Sequence, residues 1–308
     1  MSWECPHQSG PDDYCDRRSA PCRPLSAGCV LEGKGDFVGA DQKEKAMNKT
    51  PGKAEAGPLA AALRPDETVG ELATRLPALR PALERLGIDY CCGGKKPLGQ
   101  AVKEAGLAWE KVREELERSP QQARSAAAAI DWAAAPVSAL ASHILDTHHV
   151  FTRSQLAGID RLLAKVQYAH GVNHHVMLDA LRVLFDALRA DLESHLSKEE
   201  QILFPAIQAI DAFAAGRGAR PSVPCGSVAH PIRQMESEHD AAGQMLAEMR
   251  KVTGGYRLPD DACTTFRSLY EALEALEADL HEHIHLENNI LFPKSMRQEA
   301  EQASQHRL

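Results

Sequence analysis

ADLESHLSKEEQILFPAI, residues 190–207, recurs as ADLHEHIHLENNILFPKS, residues 278–295. His195 and Glu199 stand four apart in the first copy, and His283 and Glu287 repeat that spacing in the second. Positions i and i+4 lie one turn apart on one helix face, with roughly 5–6 Å between Cβ atoms. Each copy therefore aims an imidazole nitrogen and a carboxylate oxygen at one point. Leu181, Leu184, Leu188 and Leu192 lead up to His195 as an apolar seam, and Leu269, Leu273, Leu276 and Leu280 lead up to His283. Ile202 and Ile290 extend the seams past the two glutamates. Such seams face a helical core, where a carboxylate without a partner is costly. A bound metal removes that cost, so the repeats read as two halves of a metal site.

Two single histidines complete the pattern. His149 shares an apolar stripe with Leu145, Leu156 and Leu163, and His239 shares one with Ile232, Met235 and Leu246. Nearly equal lengths of chain separate His149 from His195 and His239 from His283, as expected of two helix hairpins related by a pseudo-two-fold axis. Four imidazoles, with Glu199 and Glu287 as bridging carboxylates and an oxo or hydroxo group between the metals, suit two iron ions. One octahedral position then stays open on each iron for a small molecule. Zinc prefers four-coordination and thiolates in structural sites, and fits this set poorly. Ferritin-type sites use Glu-x-x-His at i, i+3, so a ferroxidase is disfavoured. Asp191 and Glu238 lie near the ligands in sequence, either relaying protons and admitting iron or simply supporting the site. His281 and His285 are expected to face solvent, and His143, His148, His170, His174 and His175 to be peripheral.

Composition frames an all-α protein. The chain has 308 residues, 44% of them hydrophobic and only 5% aromatic, which suits two modest helical domains with tails. A formal net charge of -8 argues against general nucleic-acid binding. No run of apolar residues is long enough to cross a membrane, and no secretory h-region is read at the N-terminus. Reduced thiols in a cytoplasm are therefore the expected state. Residues 1–57 lack apolar periodicity and read as a disordered extension. Its cysteines, Cys5, Cys15, Cys22 and Cys29, lack the CxxC spacing of a zinc knuckle.

Residues 66–118 read as a small helical domain. Thr68 and Glu71 make a capping box, Pro77 and Pro81 break the helices that follow, and Gly87 stops one after Leu86. A turn carries Cys91 and Cys92, and Pro97 opens a helix running to about Leu116. A following helix N-terminus, with Lys95 and Lys96, would favour thiolate at both cysteines. Adjacent Cα atoms stand about 3.8 Å apart, below the usual disulfide span, so a Cys91–Cys92 bridge would be strained. The alternative is two small residues that merely pack a turn. Residues 119–135 read as a linker long enough to let this domain swing by about 20 Å or more. Residues 136–298 form the four-helix bundle, with helices over about 137–165, 177–214, 231–253 and 260–298. Asp260 is a candidate cap for the last of them.

DYCCGG at Asp89–Gly94 followed by such a bundle resembles the di-iron repair-of-iron-centres family, whose members act on damaged iron–sulfur clusters. MESEHD from Met235, ACTTF from Ala262 and the run from His283 to Pro293 match as well, so the resemblance covers roughly residues 66–296. It implies a hemerythrin-like bundle with His149, His195, His239 and His283 as terminal iron ligands and Glu199 and Glu287 as bridges. It further implies a cytoplasmic protein of the nitrosative and oxidative stress response, with damaged iron–sulfur proteins as partners and NO or O₂ as small ligand. Cys91 and Cys92 correspond to the family's thiol motif and would act as a thiol relay. Iron donation, NO removal and NO reduction to N₂O stay open, as do the electron donor and the choice between monomer and homodimer. The other reading is a hemerythrin-like O₂ or NO carrier or sensor without repair activity, which has no need of a thiol domain.

Overall fold

A computed structural model describes residues 63–122, 130–219, 221 and 226–305. The expectation for residues 1–57 and their four cysteines lies outside the described residues. Among those described, every named element is helical.

The small domain opens with α1 (Val69–Arg75), which starts as its capping box requires. The Glu71 N–H donates to the Thr68 hydroxyl at 3.2 Å, and the Thr68 N–H donates to the Glu71 carboxylate at 3.1 Å. Pro77 then confines the chain to a single 3₁₀ turn before α2 (Arg80–Arg85), and Gly87, at φ +67, ends that helix. Beyond the cysteines come α3 (Leu98–Glu104) and α4 (Trp109–Gln122), where one helix from Pro97 was expected. Gly106 separates them because its φ of +68 is a left-handed conformation that no helix interior accepts. Val69, Leu72, Leu79, Leu83, Leu98 and Leu116 form the core of this domain.

The bundle comprises α5 (Val137–His143), α6 (Val150–Lys198), α7 (Phe204–Ala214), α8 (Ala229–Val252), α9 (Thr264–Leu286) and α10 (Phe292–Gln305). Wider π-type turns carry the chain from α5 to α6, from α6 to α7 and from α9 to α10. Helix α6 is itself a hairpin. His174 leaves helical geometry at φ −125 and ψ 20, and Arg189 on the far side of that break bonds Asp160 at 3.2 Å. The two helices expected over 137–165 and 177–214 are thus present, joined by a reversal much tighter than the sequence pattern suggested. Helix α9 starts at Thr264 with Cys263 in the cap position, so Asp260 does not cap it. Leu181, Leu188, Leu192, Leu269, Leu273, Leu276 and Leu280 interdigitate in the core, as the seams require.

The small domain lies directly on the bundle. Arg80 pairs with Glu282, Glu84 with His281 at 2.8 Å, and Lys95 with Glu236 at 2.7 Å. Asn289 donates its amide to the carbonyls of Tyr90 and Cys91, both at 3.2 Å. This contact corrects two expectations. His281 and His285 do not face solvent: His285 is fully buried with its ring 5.4 Å from that of Tyr90, and burial brings it down to about 3. The docked domain covers the bundle face that a free bundle would expose. The thiols also reach the bundle without any swing of the linker, into which α4 extends as far as Gln122.

Candidate metal centre

All six residues of the repeat pattern meet inside the bundle. His149, Glu199, His283 and Glu287 form one group of converging ligand atoms, and His195, Glu199, His239 and Glu287 form another. Both glutamates belong to both groups, which is the placement a pair of bridging carboxylates needs. His149 Nε2 and His195 Nε2 each lie 3.4 Å from Glu199, while His239 Nε2 and His283 Nε2 each lie 3.1 Å from Glu287. None of the six is more than 4% exposed.

The outer nitrogens explain why the inner ones are free. His149 Nδ1 donates to Glu200 at 2.9 Å, His195 Nδ1 to Glu238 at 2.8 Å, and His239 Nδ1 to Asn288 at 2.8 Å. Each bond leaves Nε2 with a lone pair turned inward, the tautomer of a metal-bound histidine. The Nε2 atoms of His195 and His239 face each other at 3.1 Å, an arrangement that repels unless a cation lies beside them. His149 Nε2, both ring nitrogens of His283 and all four carboxylate oxygens of Glu199 and Glu287 are buried without hydrogen-bond partners. Each such orphan costs about 1–3 kcal/mol, and more when charged. A fold with a margin of roughly 5–15 kcal/mol does not tolerate that sum without a compensating ion. Burial and the Glu287 charge push the Glu199 carboxyl well up, whereas His283 and His239 outweigh burial and hold Glu287 well down. The donor set therefore fits metal cations.

Around the ligands the pseudo-two-fold continues. Glu200 and Asn288 follow Glu199 and Glu287, the two shared glutamates, and each holds the single histidine of its own half. Glu238 and His148 each precede a single histidine, and each covers the paired histidine of the opposite half. Glu238 bonds His195, and His148 stacks on His283 at 5.5 Å between ring centroids. His148 is thus not peripheral; it is buried, with Nδ1 donating to Asp279 at 2.9 Å. Glu200, Asn288 and His148 were missed, although their equivalent repeat positions could have revealed them. Of the two supporting residues anticipated, Glu238 touches His195 directly, and Asp191 lines a cavity of about 20 Å³ beside His195, His239 and His283. That is room for one water-sized molecule.

Cys91 and Cys92 face the bundle across a cavity of about 180 Å³ that Asp240, Asn288 and Asn289 also line. Asn288 thereby touches His239 on one side and borders the thiols on the other. The sulfurs lie 4.0 Å apart and unbridged. Thiolate is not favoured at Cys91, contrary to expectation. Contact with Cys92, burial and the adjacent Asp89 carboxylate push its thiol well up. Lys95 and Lys96 are paired with Glu236 and Glu104, and the turn at Cys92 ends before α3 begins, so the anticipated positive influences do not reach the sulfur.

The fold and centre define a hemerythrin-type helical bundle carrying a small helical domain, and comparison with known proteins agrees. Residues 140–295 match the hemerythrin HHE cation binding domain family, and residues 65–119 match a domain of unknown function, DUF542. The iron-sulfur cluster repair protein YtfE of Pectobacterium atrosepticum is 35% identical over 237 residues, covering 76% of this chain and 98% of that protein. Proteins of the same name from Escherichia coli and Shigella boydii are each 35% identical over 232 residues, covering 75% of this chain and 97% of theirs. The chain belongs to the YtfE family of iron-sulfur cluster repair proteins.

Proposed function

We propose that this protein restores iron–sulfur clusters damaged by nitric oxide or oxidative stress, using a centre of two iron ions and the Cys91–Cys92 pair. His149 and His283 would hold one iron, His195 and His239 the other, and Glu199 and Glu287 would bridge them. When bound, such a centre supplies redox chemistry and open positions for NO or O₂. The chain's own residues do the rest. Glu200, Glu238 and Asn288 orient three imidazoles and keep their Nε2 lone pairs inward. The buried seams exclude bulk water, and the small cavity at Asp191 admits a diatomic molecule or a proton carrier. Cys92, half-buried at the edge of the thiol cavity, would be the first thiol to meet a client, with the buried Cys91 beside it. Iron or nitrosyl groups passing between client and bundle would cross that cavity.

The observation that carries this reading is the thiol pair bordering the same asparagine that holds a ligand histidine. A gas carrier has no use for that arrangement. The double substitution Cys91→Ser with Cys92→Ser tests it, because serine stays protonated and cannot relay iron or nitrosyl groups. Iron content and the di-ferric spectrum should match the parent, while recovery of a nitrosylated iron–sulfur enzyme falls sharply. Full recovery by the double variant would remove the reason to prefer repair over gas binding. A single-turnover NO assay on the reduced protein, measuring N₂O and released iron together, separates iron donation, NO removal and NO reduction.

A further inference from the structure

At the other end of the bundle, the reversal of α6 brings together a second set of metal-type side chains that the repair chemistry does not use. His170 lies about 30 Å from His149 by helical rise, so the two sets are far apart. His170 and His174 stand one turn apart and meet the segment that leads into α9. His174 Nε2 lies 2.8 Å from Asp261 Oδ1, and His170 Nε2 lies 3.2 Å from Cys263 Sγ. Ligand atoms of His170, His174 and Asp261 all fall within 4.8 Å of one another.

We propose that His170, His174, Asp261 and Cys263 form a binding site for a divalent transition metal of zinc type, separate from the iron centre. Two imidazoles, a carboxylate and a thiol supply the four donors that zinc prefers. Bonds of about 2.0–2.3 Å place tetrahedral donors some 3.3–3.8 Å apart. The set needs only a slight opening of its present contacts, and a turn of the exposed Cys263 side chain toward the other three. Several features prepare the site. Asn173 donates to Asp261 Oδ2 at 3.3 Å and leaves Oδ1 toward His174. Phe266, fully buried, meets both imidazoles edge-on, with centroids 5.2 Å and 6.0 Å away, and fixes their planes. The His170 imidazole, then the Phe266 and Thr265 N–H groups, bring the Cys263 thiol down to about 7. Metal binding would release the thiol proton to solvent and leave the sulfur as thiolate. An ion here would pin the tip of the first hairpin to the start of α9, joining the two halves of the repeat.

Cobalt(II) is the probe, added to the full-length, iron-loaded protein. The expected result is one equivalent bound with a thiolate-to-cobalt absorption band, displaced by zinc. Cys263→Ser should abolish that band, and His174→Ala should weaken cobalt binding at least about tenfold. Cys91→Ser with Cys92→Ser should leave the band intact. Unchanged iron content and helicity in each variant show that the fold survives. No band in the parent, or a band that survives Cys263→Ser, overturns the proposal and leaves these residues as a hydrogen-bonded latch.

Discussion

Gly94→Ala should loosen the small domain without disturbing the centre. Asn289 lies in the π-type turn that begins with Glu287, and its side chain enters a cleft between Gly70 and Gly94. A Cβ added at Gly94 would stand 2.3 Å from Asn289 Oδ1, so the amide must withdraw. Withdrawal breaks its bonds to the Tyr90 and Cys91 carbonyls. Each is worth about 0.5–1.5 kcal/mol net. The Arg80–Glu282 and Glu84–His281 pairs remain, so docking weakens by about 1–3 kcal/mol and does not vanish. Opening should rise by roughly 5- to 150-fold. Cys91 reports it, because its thiol is buried and lines a cavity shared with Glu236, Asp240 and Asn288 of the bundle. Alkylation of the Cys91 peptide, followed by mass spectrometry in native buffer, should accelerate by that factor with iron content unchanged. A double-mutant cycle sharpens the test: once Asn289→Ala has removed the amide, adding Gly94→Ala should cost little more. An unchanged labelling rate in Gly94→Ala refutes the clamp, as does a second full loss added on top of Asn289→Ala.

Both glutamates belong to both ligand groups, so Glu199→Ala should cost the protein both irons rather than one. Metal analysis showing one full equivalent retained would contradict the shared bridge. Stability should fall as pH rises beyond about 9. Contact with Cys92 and burial hold the Cys91 thiol above its ordinary 9.0, and burial raises Tyr90 and Tyr256 and takes Tyr270 to about 12. The unfolded chain gives up these protons first, so each raised group removes up to about 1.4 kcal/mol per pH unit between its unfolded and folded values. The urea midpoint should drop between pH 9 and 10.5, with Cys91→Ser flattening the first part; a level profile refutes the reasoning. A chain beginning at Met47 should keep the melting temperature and iron content of the full chain. Loss of iron on removing Cys5, Cys15, Cys22 and Cys29 would count against the reading of residues 1–57.

The convergence of His149, His195, Glu199, His239, His283 and Glu287 was legible because its signal is local and doubled. A histidine and a glutamate one turn apart on an apolar seam are conspicuous once, and the second copy makes chance a poor account. The surrounding hydrogen bonds were half-legible: Glu238 adjoins a ligand, but only the fold shows Glu200 holding His149 from another helix. What the sequence hid was contact between domains. His281 and His285 sit beyond the apolar seam, and periodicity alone places them in water. The docked small domain covers them, with Glu84 bonding His281, and the Tyr90 carbonyl and Thr74 meeting His285, while Asn289 of the bundle also bonds His285. The thiol environment was misread because sequence proximity does not show which charges are already paired. Charges near in sequence, Lys95 and Lys96, are paired with Glu236 and Glu104, while contact with Cys92, burial and Asp89 raise the proton affinity of Cys91.

Pro205 and Pro293 each stand second in a helix, α7 and α10, just after a π-type turn. Proline removes an N–H and its ring crowds the carbonyl four residues earlier. Both costs shrink if the preceding turn is already widened. That is the arrangement here: the Phe204 N–H reaches back to the Glu199 carbonyl, and the Phe292 N–H reaches back to the Glu287 carbonyl. Each widened turn therefore begins at one of the two shared glutamates, Glu199 or Glu287, and ends just before a proline. The extra residue in the turn also rotates everything beyond it. Leu203, Phe204, Leu291 and Phe292 are buried; Ile202, which a regular helix would place on the seam with Glu199, is 47% exposed, whereas its counterpart Ile290 is 4% exposed. A regular helix would have to choose between aiming the glutamate inward and keeping the following apolar residues in the core. The π-type turn separates the two requirements: Glu199 and Glu287 converge with the histidines while Leu203, Phe204, Leu291 and Phe292 stay in the core.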